Sequence, residues 1–165
     1  MSPRVRVAAL AIALLCAVLG WRAWRTNDEQ VIRRRLDALT ADLNMTVNDG
    51  LSTLARAADI GSYFTDDVVV DLGEGAAPIV GRATLVGMAS RLERRTAAFR
   101  LRFDDVGVRV GPGGRTADVT LTASFVQRSG PDAAESMDAR EFALTLVKES
   151  AVWRISRATG VDTLK

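Results

Sequence analysis

The sequence predicts an α+β domain that follows a short hydrophobic N-terminal segment. Three patterns predict it: no charge over residues 7–20, apolar residues at helical spacing between residues 27 and 95, and apolar–polar alternation from residue 99 to residue 160. Helical patterns that precede the strand patterns, instead of alternating with them, are typical of α+β folds. We therefore expect residues 1–25 to form a membrane anchor and residues 26–165 to form one domain.

The basic character of the chain belongs to its N-terminal segment. The formal net charge is +2, but 4 of the 22 basic residues precede the first acidic residue, Asp28. The other 18 basic residues are set against 20 acidic ones, so the domain carries a slight negative charge. This distribution argues against nucleic acid as a partner.

The chain has no histidine and a single cysteine, Cys16. This composition excludes the usual zinc and copper sites, Ser-His and Cys-His catalytic pairs, and an intramolecular disulfide. We interpret Asp66-Asp67 as a polar turn, because no carboxylate cluster has the spacing of a magnesium or calcium loop. We expect neither a metal nor a cofactor.

Residues 5–24 are predicted to span a membrane. The uncharged run is shorter than the roughly 20 residues of a typical spanning helix, and a cleaved signal peptide is the alternative. Trp21 and Trp24 suit interfacial aromatics, and Arg22 and Arg25 can extend to the lipid head groups. We expect a single-pass protein whose domain lies outside the cytoplasm, in the periplasm, or a secreted protein if the leader is cleaved.

Three helices and a first strand are predicted before residue 96. The helices cover residues 27–44, Leu51 to Tyr63, and Gly81 to Arg95, with a strand at Val68–Val70 between the second and the third. Leu85, Met88, Ala89 and Leu92 of the third helix are expected to face inward.

Four strands are predicted after residue 98. In the first, the consecutive Asp104-Asp105 interrupts the alternation, and a β-bulge there would bring Val106, Val108 and Val110 to the apolar face. Residues 111–114, Gly-Pro-Gly-Gly, predict a hairpin turn into a strand that carries Val119, Leu121, Ala123 and Phe125. Two further strands carry Phe142, Leu144 and Leu146, and then Trp153 and Ile155. The predicted order is α-α-β-α-β-β-β-β.

Three short motifs resemble the NTF2-like superfamily, which includes the SnoaL-like proteins. They are Phe-Thr-Asp-Asp-Val-Val-Val-Asp-Leu ending at Leu72, Pro-Ile-Val-Gly-Arg beginning at Pro78, and Trp-Arg-Ile beginning at Trp153. The resemblance covers roughly residues 28–163. It implies a cone in which a bent antiparallel sheet of four or more strands wraps around three helices.

The resemblance also locates the catalytic positions of the ketosteroid isomerases in this superfamily. Those enzymes use a carboxylate base, a tyrosine and a protonated carboxylic acid. The motifs align the base with Leu72, the acid with Phe142 and the tyrosine with the region of Arg35. Because none of these side chains can perform the required role, the resemblance implies no isomerase. The nearest carboxylates are Asp71, which alternation places on the opposite strand face, and Glu74 in the following loop.

Two functional hypotheses follow. The first is a non-enzymatic, membrane-anchored interaction or assembly module, similar in layout to membrane-tethered secretion-apparatus components and to accessory proteins of Mce lipid-transport systems. Its cone would bind a small hydrophobic molecule, and the polar row Thr120, Thr122 and Ser124 would contact a second copy or a membrane-complex partner. The alternative is a SnoaL-like enzyme that acts on a polyketide- or steroid-like substrate through Glu74 or Asp71. The expected pocket-lining residues are Tyr63, Leu72, Met88, Phe125, Phe142 and Trp153.

Overall fold

The computed structural model describes residues 27–44, 50–73, 75–93, 99–128 and 135–161. The predicted membrane span with Trp21, Arg22, Trp24 and Arg25 lies outside these ranges, as does Glu74. Within these ranges, no helix has the length and apolar character needed to cross a membrane.

Three helices occur in the described part of the chain. The first, α1, occupies residues 27–44, and its side chains Ile32, Leu36 and Leu39 are buried at the spacing that the sequence predicts. The second, α2, is Gly50–Gly61, and the third, α3, is Arg82–Glu93. Helix α2 ends before Tyr63, whose N–H donates to the Ile60 carbonyl three residues back, at 3.2 Å, instead of continuing the i−4 pattern.

The sheet has six strands and is mixed. In chain order they are β1 Phe64–Asp71, β2 Ile79–Val80, β3 Phe99–Val110, β4 Thr116–Arg128, β5 Glu135–Glu149 and β6 Val152–Val161. Their spatial order is β2-β1-β6-β5-β4-β3, with β1 and β6 parallel and every other neighbouring pair antiparallel. The expectation of an antiparallel sheet was therefore wrong, because the last strand runs alongside the first in the same direction.

Strand β1 includes the residues that were expected to form a turn. Asp66 and Asp67 lie within it, both exposed, where the pairing with β6 shifts register between Phe64 and Val69. The Asp66 carboxylate forms an ion pair with Arg82 in the first turn of α3. The prediction of a turn was wrong because strand pairing incorporates the two residues as an irregularity. The short strand β2 was not predicted.

The bulge predicted in β3 is confirmed. The register with β4 shifts between Asp104 and Gly107, and Asp105 adopts a positive φ of 52°. Val106, Val108 and Val110 pack against the core after the shift. The predicted hairpin turn is also present, with the Gly114 N–H donating to the Gly111 carbonyl at 3.2 Å.

One face of the sheet, the inner face, packs against α1 and α2 and forms the hydrophobic core. Its buried side chains come from β4, β5 and β6, where directly paired residues share a face. They are Ala117, Val119, Leu121, Ala123, Leu144, Leu146, Trp153, Ile155 and Ala158. The opposite, outer face carries the polar row, in which Thr120 is exposed and Ser124 is buried against the Asp104 carboxylate at 3.2 Å.

Two side chains of α1 hold the edge strand β3. The Asn44 amide donates to the Leu101 carbonyl and accepts from the Leu101 N–H, each at 2.7 Å. Closer to the start of the helix, Arg33 donates to the Val106 carbonyl at the bulge. These contacts use main-chain groups of an edge strand that would otherwise be open to pairing.

Candidate functional site

The two ends of the inner face differ in burial. At one end, the closed end, Trp153, Leu146 and Ala117 are each about 1% exposed. At the other, the open end, Phe125 and Phe142 are only partly buried and Leu72 is 40% exposed. The open end, formed by Leu72, Phe125, Arg140, Phe142 and Gly160, is the candidate ligand site, since small-molecule sites are mostly apolar with a few polar groups.

The Leu72 carbonyl joins the strands of the open end. Arg140 Nη1 donates to this oxygen at 3.0 Å. On β6, a Cβ added to Gly160 would come within 2.9 Å of the same oxygen, so only glycine permits this approach. Because Gly160 pairs with Phe142 on β5, the aromatic ring lies beside a position without a side chain. The end of β1 is thus fixed against β5 and β6.

Arg140 is the residue of this site that the sequence interpretation missed. It pairs directly with Ala123, which is 2% exposed, and so lies on the inner face. The alternation of the strand could have identified it, because Arg140 lies two residues before Phe142 and therefore shares a strand face with Phe142, Leu144 and Leu146. A charged residue in an apolar row is informative, since its charge must be solvated or paired.

The expected pocket residues do not all lie together. Leu72, Phe125 and Phe142 lie at the open end, whereas Trp153 is buried at the closed end. Tyr63, only 9% exposed, lies between α1 and the start of β1. Met88 of α3 is 47% exposed, so the expectation that it faces inward was wrong.

The exposure of Met88 follows from the side on which α3 packs. A Cβ added at Gly61 of α2 would lie 3.4 Å from Val86 and 3.5 Å from Arg82, which places that side of α3 against α2. Met88 is two residues beyond Val86, on the other side of the helix. Of the predicted apolar stripe, Leu85 packs against the core as expected, whereas Met88 does not.

The isomerase positions contain no catalytic carboxylate. Leu72 and Phe142, which the resemblance aligns with the base and the acid, both lie at the open end. Asp71 lies on the outer face by alternation with Val70, and its Oδ1 accepts a hydrogen bond from the Gly73 N–H at 3.0 Å. Asp71 is thus turned away from the candidate site and holds the turn that follows β1.

Arg35, aligned with the isomerase tyrosine, belongs to a polar cluster beside Tyr63. Its guanidinium lies 4.7 Å from the centre of the Tyr63 ring, and its Nη2 donates to the Ser62 carbonyl at 2.8 Å. The Tyr63 hydroxyl donates to Asp42 Oδ2 at 2.6 Å. Burial and this hydrogen bond raise the pKa of Tyr63 to about 12, while burial lowers the pKa of Arg35. The tyrosine hydroxyl is therefore committed to Asp42.

The closed end contains a buried ion pair. Asp28 Oδ1 accepts hydrogen bonds from Lys148 Nζ at 2.6 Å and from the Trp153 indole N–H at 3.3 Å. The lysine ammonium also lies 5.3 Å from the centre of the Trp153 ring. These contacts join α1 to β5 and β6 at the closed end.

No group of three or more aspartate, glutamate, cysteine or histidine residues in the described ranges could hold a metal ion. Across the same ranges, Asp138 is the carboxylate nearest the open end on the inner face, where it is exposed and pairs with Phe125. The candidate site therefore offers apolar contact, the Arg140 guanidinium and, beside Phe125, the Asp138 carboxylate.

Comparison with solved structures finds the same fold in many proteins. An NTF2-like protein with a cystatin-like fold from Novosphingobium aromaticivorans is 16% identical, with a TM-score of 0.69 over 88% of this chain and 90% of that chain. A provisionally named scytalone dehydratase from the same organism is 12% identical, with a TM-score of 0.69 over 84% and 86%. A provisionally named dehydratase of the NTF2-like family from Streptomyces avermitilis is 13% identical, with a TM-score of 0.67 over 85% and 99%.

No curated protein sequence matches this chain significantly. The model of the SnoaL-like domain matches residues 33–159, which include α1 from its second turn, α2, α3, β1 to β5 and most of β6. This match and the shared fold agree with the motifs at Leu72, Pro78 and Trp153. The chain belongs to the SnoaL-like family of NTF2-like domains.

Proposed function

We propose that this protein is a non-enzymatic, membrane-tethered SnoaL-like domain that binds a small hydrophobic molecule at its open end. One observation carries the proposal: Leu72 and Phe142 replace the base and the acid of the related isomerases, and both are partly accessible on the inner face. A mostly apolar site favours binding over proton transfer, because the side chains of Leu72 and Phe142 cannot exchange a proton where the related isomerases have their base and acid.

The tether rests on the hydrophobic segment at residues 5–24, with the domain outside the cytoplasm. In this arrangement, the domain presents its ligand, or its ligand-bound state, to a partner in a membrane complex.

Native mass spectrometry of the full chain, released from membranes, tests the proposal. We expect a retained small-molecule mass in the wild type and its loss in Leu72→Arg, which places a charge at the open end. Val80→Arg is the matched control, because Val80 is a 59% exposed apolar residue on β2. Ligand binding would be contradicted if the wild-type protein retains no small-molecule mass and takes up no added hydrophobic compound. The interaction or assembly function would then be the only part of the proposal that stands.

A second candidate is a SnoaL-like enzyme, favoured by the two solved neighbours that are named as dehydratases. Its base would be Glu74, since the Asp71 carboxylate is bonded to the Gly73 N–H on the outer face. Turnover of a hydrophobic polyketide- or steroid-like substrate that is lost in Glu74→Gln, and kept in Asp71→Asn, would support the enzyme. Equal turnover in Glu74→Gln would exclude Glu74 as the base, and absence of turnover in the wild type would contradict the enzyme.

A further inference from the structure

The direction of α1 determines which end of the domain is nearest to the N-terminal segment. Close to its start, Asp28 contacts Lys148 and Trp153 at the closed end, at 2.6 and 3.3 Å. At its other end, Asn44 bonds both main-chain groups of Leu101, which pairs with Phe125 of the open end. Helix α1 therefore runs from the closed end to the open end of the inner face.

The connection to the predicted membrane span is short. The span ends at Trp24, three residues before residue 27, and three residues reach at most about 10 Å in any conformation. The start of α1 must then lie within about 10 Å of the membrane interface. The far end of α1 is about 27 Å along the helix axis, at 1.5 Å per residue.

The exposed side of α1 lacks the residue pattern of a helix that lies flat on lipid. Its exposed charged residues are Arg34 and Asp37, one of each sign, and among its large apolar residues Val31 is 38% exposed. A helix that lies in the membrane interface needs an apolar face flanked by a strongly charged, basic one. An upright α1 is therefore favoured over one parallel to the bilayer.

The surface of the closed end is compatible with a lipid head-group region. Near the β5–β6 turn, Arg154 Nη1 is paired with Glu149 at 2.7 Å, and in α1 Arg33 is paired with Glu29 at 3.1 Å. Arg115, exposed in the turn between β3 and β4, adds a positive charge, and its carbonyl accepts the Lys148 N–H at 2.8 Å. Two acidic residues of this end are therefore paired with arginine, and Arg115 can contact anionic head groups.

We infer that the domain stands on the membrane by its closed end, with the β3–β4 and β5–β6 turns facing the lipid and the open end facing away. The inference rests on the proposed tether. Its consequence is that the ligand reaches Leu72 and Phe142 from the aqueous phase or from a partner protein, and not by lateral entry from the bilayer.

Fluorescence quenching in vesicles tests this orientation on the full chain. Cys16→Ala leaves no other cysteine, and one thiol is then introduced by Arg115→Cys at the closed end or by Met137→Cys near the open end. Met137 is 72% exposed. It lies ten residues before Val147, which pairs with Thr116 at the closed end, so Met137 is roughly 33 Å along β5 from that end. Each thiol carries the same fluorophore, and the vesicles contain phosphatidylcholine with a nitroxide on its head group.

We expect the label at position 115 to lose most of its emission and the label at position 137 to lose little. Pro112→Cys, exposed in the same turn, repeats the closed-end measurement if Arg115→Cys misfolds. Equal quenching at both ends, or stronger quenching at position 137, would overturn the orientation while leaving the tether intact. A chain that does not float with the vesicles would overturn the tether, and the orientation with it.

Discussion

The carboxylate of Asp28 and the ammonium of Lys148 lie 2.6 Å apart, although 120 positions separate them in the chain. Their side chains are only 6% and 20% exposed, and the Trp153 indole donates to the same carboxylate oxygen. The start of α1 is thereby joined to the hairpin of β5 and β6, the strands that carry the inner face. Removing only one partner of such a contact lowers the free energy of unfolding strongly, because the other charge stays buried without its partner.

Removal of the Asp28 carboxylate should therefore destabilise the domain. We expect Asp28→Ala to lower the free energy of unfolding by about 3 kcal/mol, measured in urea on residues 26–165. This segment contains Trp153 as its only tryptophan, so its fluorescence reports the closed end directly. The solved neighbours support the segment as a folding unit, since the matched region covers 86–99% of their chains.

The double variant Asp28→Leu with Lys148→Met separates charge from packing. Replacing both partners with apolar residues should recover most of the loss, because the desolvation penalty disappears together with the attraction. A double variant as unstable as Asp28→Ala would show that the hydrogen bond to Trp153, and not the ion pair, supplies the stability.

A methyl group at position 160 should disturb the open end. In Gly160→Ala the added Cβ would lie 2.9 Å from the Leu72 carbonyl oxygen, and a main-chain atom can move away only if β1 moves. We expect a loss of about 1–3 kcal/mol in the free energy of unfolding. Gly87→Ala is the matched control, since nothing lies within 4 Å of a Cβ at this position of α3. It should stabilise the domain by about 1 kcal/mol, and equal effects of the two variants would contradict the packing argument.

Asn44 should protect the edge strand β3. Asn44→Ala leaves the N–H and carbonyl of Leu101 without the amide that binds both at 2.7 Å. We expect a loss of about 1–3 kcal/mol and faster aggregation at high protein concentration, measured by urea unfolding and light scattering. Gln30→Ala, an exposed amide on the same helix, should change stability by less than about 0.5 kcal/mol. Aggregation of both variants at the same rate would argue against edge protection.

The features predicted correctly from the sequence are those with a local pattern. The β3 bulge could be predicted because Asp104 and Asp105 interrupt a clear alternation, and the buried row of α1 because its period is helical. The motif that ends at Leu72 predicted a strand before α3, and β1 lies there.

The features that were missed depend on partners distant in sequence. Nothing local to β1 or β6 predicts that they pair in parallel, and β2, with two residues, is too short for a period. The double hydrogen bond of Asn44 joins residues 57 positions apart. For Met88, the helical pattern gave an apolar stripe but could not say which side of α3 meets α2.

Tyr63 should titrate far above an ordinary tyrosine. It is the only tyrosine of the chain, so the ultraviolet absorbance of tyrosinate reports this residue alone. Burial and the hydrogen bond to Asp42 raise its pKa to about 12, against about 10 for the unfolded chain in urea. Because the folded state holds the proton more tightly, Tyr63 contributes stability that is complete below about pH 10 and is lost as the pH rises towards 12.

Asp42→Asn tests the cause of this shift. An amide oxygen can still accept the tyrosine proton but carries no charge, so the pKa of folded Tyr63 should fall and yet stay above about 10, because burial is its largest cause. Unfolding must be followed in parallel by Trp153 fluorescence, so that titration of the folded chain is distinguished from alkaline unfolding. A folded wild-type domain in which Tyr63 titrates near pH 10 would contradict the buried Tyr63–Asp42 pair.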